Sequence, residues 1–409
     1  MGDIKFEVIK KIAETKFKYK ELGAKGYSDL DTNSPPSVFV GSKLKYPDVN
    51  VGILSPVERD ENAWVYDNEK YWAKENFGIR DVINLRDSLL NSRFRTKTSA
   101  VRSVSGSQGN KFVNIAQEIA LASKPVDVEI ELSNKVSPSD RKKDRILMPQ
   151  GRRGDLKKAK IVGNVKVNKK LDKIINDDLK AVDGIKYLYK NNFDEYTLSK
   201  ILSVGVLGLK KDKKLVPTRW SITATDDMLG KDILERVRGY NWIEDYELFL
   251  GEFMGNCYLI MLFPNVFSYE LFELYLPGSS WNPSNEIKAS TDMEGFHGRK
   301  TYATATAGGY YASRLPILEY LDSIKKQASV LAIRIELPSY WASLGVWVVR
   351  ESVRKALNNR KLRFTKMNEM VDSAKKIGMI KFGFDPEKII KKSKVLENLK
   401  TQTNLWKWV

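Results

Sequence analysis

The chain has 409 residues, with 69 Lys and Arg against 51 Asp and Glu for a formal net charge of +18, and a single cysteine and a single histidine. That scarcity excludes an intrachain disulfide, and with Cys257 and His297 as the only soft ligands no structural zinc site can be assembled from this chain. A hydrophobic fraction of 42% belongs to a folded globular protein. The length predicts two or three domains.

In chain order, residues 1–23 carry charges every two or three positions and hold no apolar core of a signal peptide. They predict an amphipathic helix with Phe6, Ile9, Ile12 and Ala13 on one face. Residues 112–122 have helical spacing, and 124–134 alternate Val126, Val128, Ile130 and Leu132 with carboxylates, as a half-buried strand does. The glycine- and proline-bearing PQGRRGD at 149–155 predicts a turn whose amides, beside Arg152 and Arg153, form a phosphate cradle.

Farther on, NCYLIMLFP at 256–264 and YELFELYLP at 269–277 predict adjacent strands, the first fully buried. The run CYLIMLF is too short to span a bilayer, so a cytoplasmic, nucleoid-associated protein with no membrane partner is expected. Residues 311–326 predict a helix broken near its start by Pro316, 329–337 a strand, and 345–359 a helix with Arg350 and Arg354 outside. Helices alternate irregularly with strands, which predicts a mixed α/β or α+β fold around a mixed sheet. The expected division is an N-terminal α/β region at 1–134, a basic glycine-bearing loop or linker at 135–170, an α+β core at 171–384, and a C-terminal helix and tail at 385–409.

Charge informs about partners only where it clusters. Residues 80–111, 141–173 and 350–400 carry +5, +10 and +9, leaving −6 on the rest. The first interleaves Arg93, Arg95, Lys97 and Arg102 with hydroxyl residues, and the second contains Arg152, Arg153, Lys157 and Lys158. Such stretches suit phosphate contacts that hold DNA without reading its sequence.

Two segments concentrate candidate chemistry. LVPTRWSITATDD at 215–227 holds Arg219, Trp220, Asp226 and Asp227, with Asp226 also readable as the N-cap of a following helix. Residues 291–314 hold Glu294, His297 and Arg299, then a Gly308-Gly309 turn with Tyr310 and Tyr311 opening a helix. His297 suits a general base, a metal ligand or a structural hydrogen bond. A metal here would be oxygen-bound Mg²⁺ or Mn²⁺ held by carboxylates. Tyr310, Tyr311 and Trp220 suit stacking on unpaired bases. No spacing matches a nuclease, P-loop or dinucleotide motif.

At the C-terminus, Asp385, Pro386 and Glu387 form a helix-start signature. Gln402, Leu405, Trp408 and Val409 then give the spacing Q-x-x-L-x-x-W-V, which resembles the clamp-binding PIP motif of replication and repair proteins. One 3₁₀ turn places Leu405 and Trp408 side by side as a plug. Val409 departs from the usual second aromatic, a place Trp406 partly fills.

Four blocks, PPSVFVGSKLKYPDVNVGILSP at 35–56, LVPTRWSITATDD, GFHGRKTYATATAGGYYASRL and RIELPSYWASLGVWVVRESVRKAL, together resemble the archaeal Nre family of DNA repair proteins. The resemblance implies a role in DNA damage repair and makes Gln402, Leu405 and Trp408 the clamp-interaction motif. It supplies no reaction. Many relatives carry a cysteine-rich zinc element, which has no counterpart here because no cysteine precedes Cys257. The expected function is a repair protein that binds damaged or branched DNA through its basic stretches and is recruited to the sliding clamp (PCNA). An enzymatic version places a site among Arg219, Asp226, Asp227, Glu294, His297 and Arg299; the competing reading is a non-catalytic adaptor.

Overall fold

A computed structural model describes residues 26–102, 108–136 and 151–401. The expected N-terminal helix, Pro149 and Gln150 of the PQGRRGD turn, and the clamp-like tail lie outside the described residues. The chain forms two compact units, Met1–Leu229 and Gly230–Val409.

The first unit is built on a six-stranded sheet of β1 (Tyr27–Ser34), β2 (Val38–Val40), β3 (Asp48–Ser55), β4 (Leu90–Lys97), β5 (Val126–Val136) and β6 (Arg153–Ile161), in the order β1-β5-β6-β4-β3-β2. Pairing is antiparallel except between β4 and β6. Helices α1 (Glu69–Lys74) and α2 (Ile79–Asp87) join β3 to β4, and α3 (Gln108–Leu121) precedes β5. After β6 come α4 (Lys169–Asn176), α5 (Ala181–Lys190), α6 (Glu195–Ser203) and α7 (Thr218–Val237), the last running into the second unit. Strand alternation puts Val51, Ile53, Leu90, Phe94, Val128 and Ile130 on one buried face. There Phe94 meets Phe112 of α3 at 5.3 Å between ring centroids. The stretch expected to be a linker is different in kind: its second half is β6, whose ladder to β5 and β4 makes it interior to the sheet.

The second unit repeats the strand count with β7 (Tyr246–Phe253), β8 (Asn256–Phe263), β9 (Ser268–Tyr275), β10 (Lys288–Glu294), β11 (Ser329–Glu336) and β12 (Leu362–Phe364), in the order β10-β9-β11-β8-β7-β12. Met254 and Gly255, at φ of 51° and 75°, make the two-residue turn of the β7–β8 hairpin; two positive φ values match the right-handed strand twist. Helices α8 (Ala307–Ser323) and α9 (Val346–Asn358) cover one sheet face. Leu259, Met261, Ile333 and Ile335 of the other face pack with Met370 and Ala374 of α10 (Met367–Phe382), Ile389 and Ile390 of α11 (Glu387–Ile390), and Val395 and Leu396 of α12 (Lys394–Thr401). The chain is therefore α+β with two mixed sheets.

Several local expectations change. β8 is wholly buried as expected, but β11 is inserted between it and β9, antiparallel to the first and parallel to the second. Pro316 lies inside α8 without ending it, and Gly308 and Gly309 belong to that helix's first turn. Gly309 has a packing reason: a Cβ there would sit 2.2 Å from Glu273 Oε1. Arg350 is buried, because α9 packs against both α8 and β7. The expected single C-terminal helix is two short ones, and Asp385 Oδ1 accepts a 2.9 Å bond from the Glu387 amide at the start of the first.

Candidate nucleic-acid interface

The outer face of the first unit's sheet is divided by charge. On β1 and β5 it carries Asp29, Asp31, Asp127, Glu129 and Glu131, and on β6 and β4 it carries Arg153, Lys157, Lys158, Lys160, Arg93 and Arg95, with Asp155 among them. The register explains the grouping, since parallel β4 and β6 set Arg93 opposite Asp155 and so bring their like-facing cations side by side. Some of this charge is paired at the seams. Lys157 and Lys158 both reach Glu131, the latter at 2.9 Å, while Arg93 lies 3.3 Å from Asp155 and Arg95 2.6 Å from Asp48. Lys158 and Arg95 remain 73% and 67% exposed, and exposed pairs of this kind are weak because water screens them. A phosphate can displace them. The Glu131 carboxyl is held below its usual range by hydrogen bonds from Lys157 and Lys158.

The nucleic-acid candidates do not all reach this face. Arg153, Lys157 and Lys158 do, and Arg102 is exposed on the 3₁₀ turn beyond β4, where Nη1 donates to the Lys211 carbonyl at 2.8 Å. Arg152 does not: it is buried, its carbonyl accepts from the Asn91 amide at 2.7 Å, and Gly151 before it is pressed against the Leu89 carbonyl. The cradle expected around Arg152 is thus packed against the start of β4. Tyr310 and Tyr311 are buried in α8, the first beneath the Arg299 guanidinium at 5.3 Å and the second donating no surface to a base. Only Trp220 of the three stacking candidates is exposed.

The catalytic candidates divide between the units. Arg219, Asp226 and Asp227 belong to the first and Glu294, His297 and Arg299 to the second. Asp226 is no N-cap, because α7 starts eight residues earlier at Thr218, and on a helix the adjacent Asp226 and Asp227 point about 100° apart. Asp226 is buried, Asp227 half-buried and Arg219 exposed. Glu294 Oε1 accepts from buried Arg314 Nε at 2.5 Å. Arg299 pairs with Asp292 at 3.1 Å and donates to the carbonyls of Met293, Thr301 and Tyr302. His297 is exposed in a turn closed by the Gly298 amide on the Gly295 carbonyl. Among the described residues no three His, Cys, Asp or Glu side chains gather as a metal-binding group, and no helix is long and apolar enough to cross a membrane.

Comparison with known proteins gives this geometry a context. The profile described as "Archaeal Nre, N-terminal" matches residues 2–282, and that described as "Archaeal Nre, C-terminal" matches residues 294–408. The chain belongs to the archaeal Nre family. DNA repair protein NreA of Haloferax volcanii is 41% identical over 325 residues, 78% of this chain and 76% of the relative. NreA of Archaeoglobus fulgidus is 38% identical over 83% of each chain, and DNA repair protein NreB of the same organism is 33% identical over 93% of this chain and 92% of its own. No solved structure matches.

One feature of this Nre chain escaped sequence reasoning. In the second unit Arg334 of β11 lies between Glu273 at 2.6 Å and Glu336 at 2.9 Å, and donates twice to Asn256 Oδ1. Burial works against the Arg334 charge, but the two carboxylates outweigh it and hold the guanidinium well above its ordinary range. Burial also pushes the Glu336 carboxyl up, opposed by Arg334 and by hydrogen bonds from Ser280 and the Trp281 amide. The signal was present as charges at every second or third position of otherwise apolar strands, ELFEL and AIRIE, and such spacing also fits a solvated face.

Proposed function

We propose that this Nre chain serves DNA repair by holding DNA on the basic half of the first unit's sheet and by being brought to the sliding clamp through Gln402, Leu405, Trp408 and Val409. Its relatives are named DNA repair proteins over more than three quarters of this chain. The observation that carries the DNA-binding reading is the row of cations on β4 and β6, exposed Arg95, Arg153, Lys157 and Lys158 with half-buried Arg93, on one sheet face. A flat, fixed row suits phosphate contacts that position a duplex without reading it. Clamp recruitment rests on the terminal Q-x-x-L-x-x-W-V spacing.

The adaptor form of this reading is favoured over the enzymatic form. Glu294 and Arg299 are engaged in ion pairs and carbonyl contacts, and Asp226 and Asp227, adjacent on one helix, do not face a single site together. Damaged or branched DNA is the proposed partner, and a cytoplasmic, nucleoid-associated setting follows from it.

The test is duplex binding by the full chain, followed by fluorescence anisotropy at rising salt. The affinity should fall steeply, with a log–log slope of about −0.9 per phosphate neutralised. Lys157→Gln with Lys158→Gln should lower the slope by about two and weaken all duplexes alike. A flat salt response in the parent chain overturns the proposal.

A further inference from the structure

The first unit carries a second surface that none of the charge stretches isolates, because its parts come from three distant segments. We infer that the rim formed by the β2–β3 loop, the turn after β4 and the segment leading into α7 binds unpaired bases of single-stranded DNA. This rests on the DNA-binding reading above and gives it a substrate class.

Backbone hydrogen bonds fix the rim. The Pro47 carbonyl accepts from the Thr98 amide at 2.9 Å, and the Thr98 carbonyl accepts from the Leu215 amide at 2.8 Å, so the three segments run side by side. The Val40 amide donates to Thr218 Oγ1 at 2.9 Å and Arg102 to the Lys211 carbonyl at 2.8 Å, which anchors the start of α7 and the loop before it to the same strand ends. On this framework stand two large exposed rings, Tyr46 at 57% and Trp220 at 52% of their free surface. Around them are the exposed cations Lys43, Lys45, Lys97, Arg102, Lys214 and Arg219. None of these six is in an ion pair among the described residues; the nearby Arg95 is, with Asp48.

That is the composition of a single-strand site. Every base has a π face, so exposed aromatic rings hold bases without regard to sequence, while cations beside them follow the phosphates. A duplex hides its base faces in the stack and gains nothing from the rings. A protein partner would be met by an apolar centre with a polar rim, whereas here the rings stand among cations that form no ion pair among the described residues. The rigid backbone connection also means little ordering is required on binding.

The experiment measures anisotropy of the full chain with a labelled oligothymidylate and with a duplex of equal length. Tyr46→Ala with Trp220→Ala should lower single-strand affinity by roughly tenfold or more and leave duplex affinity within about twofold, whereas Tyr46→Phe with Trp220→Phe should keep most of the single-strand affinity. Single-strand affinity unchanged in the alanine pair overturns the inference while leaving duplex binding, and with it the proposed function, intact. A parent chain that binds neither DNA overturns both. Should the alanine pair fail to fold, photo-cross-linking of a 5-iodouracil strand to the parent chain decides: adducts on Tyr46 or Trp220 support the site, and adducts confined elsewhere sink it.

Discussion

Asp322 shows how a single carboxylate can hold a helix end. Burial alone would raise its pKa, but hydrogen bonds from Arg236 at 2.9 Å, from the Tyr240 hydroxyl at 2.7 Å and from Lys325 at 3.3 Å hold it at about 2. A carboxyl depressed below its ordinary 3.8 stabilises the folded chain fully above that value, and the contribution disappears as pH falls toward about 2. Asp322→Asn should therefore cost about 1 kcal/mol near neutral pH, after discounting for solvent screening, and nothing at the acid limit. Urea melts of both chains at pH 7 and pH 2 check this; a constant difference would remove Asp322 from the account. At this same scale the sequence was least legible. Arg350 and Arg334 are charges that helical or strand periodicity assigns to solvent, yet both are buried. The helix carrying the first is covered on two sides, and the second meets two carboxylates that are 61 residues back and 2 residues on.

Elements were read better than their neighbours. The alternation of β5, the apolar run of β8 and the amphipathic pattern of α9 were all visible, because period and composition are local properties. That β11 separates β8 from β9 was not, since only long-range pairing decides it. The same holds for α12, whose docking depends on a strand more than 120 residues earlier. Buried Glu270 of β9 accepts from Ser393 Oγ at 2.6 Å and from the amides of Val395 at 3.0 Å and Lys394 at 3.2 Å, capping the helix from outside it. Glu270→Ala would leave those donors buried without a partner, at a cost of about 2 kcal/mol. Hydrogen exchange should then speed at the amides of Lys394–Glu397 well beyond the change elsewhere. Undiminished protection there would show that packing of Val395 and Leu396 alone holds α12.

At the scale of the whole molecule, the +18 charge and the terminal motif make separable predictions. The residues after Thr401 hold one lysine, Lys407, so they contribute little to a phosphate-dominated contact, whereas they contain all of Gln402, Leu405, Trp408 and Val409. A chain ending at Thr401 keeps α12 entire and should bind DNA within about twofold of the full chain with the same salt slope, since that slope counts phosphates neutralised. It should lose capture by an immobilised sliding clamp, because buried aromatic and aliphatic anchors carry most of such an interface. The Lys157→Gln and Lys158→Gln pair should do the reverse, weakening DNA and leaving clamp capture intact. The proposed function then requires two tethers on one chain: with each alone weak, joint engagement should multiply residence on clamp-loaded DNA by an effective-concentration term, and either variant should abolish that gain. Pull-down of the two variants with clamp alone, DNA alone and clamp-loaded DNA separates these outcomes. If the truncated chain were captured by the clamp as well as the full one, the recruiting surface would lie within residues 1–401 and the terminal spacing would be coincidence.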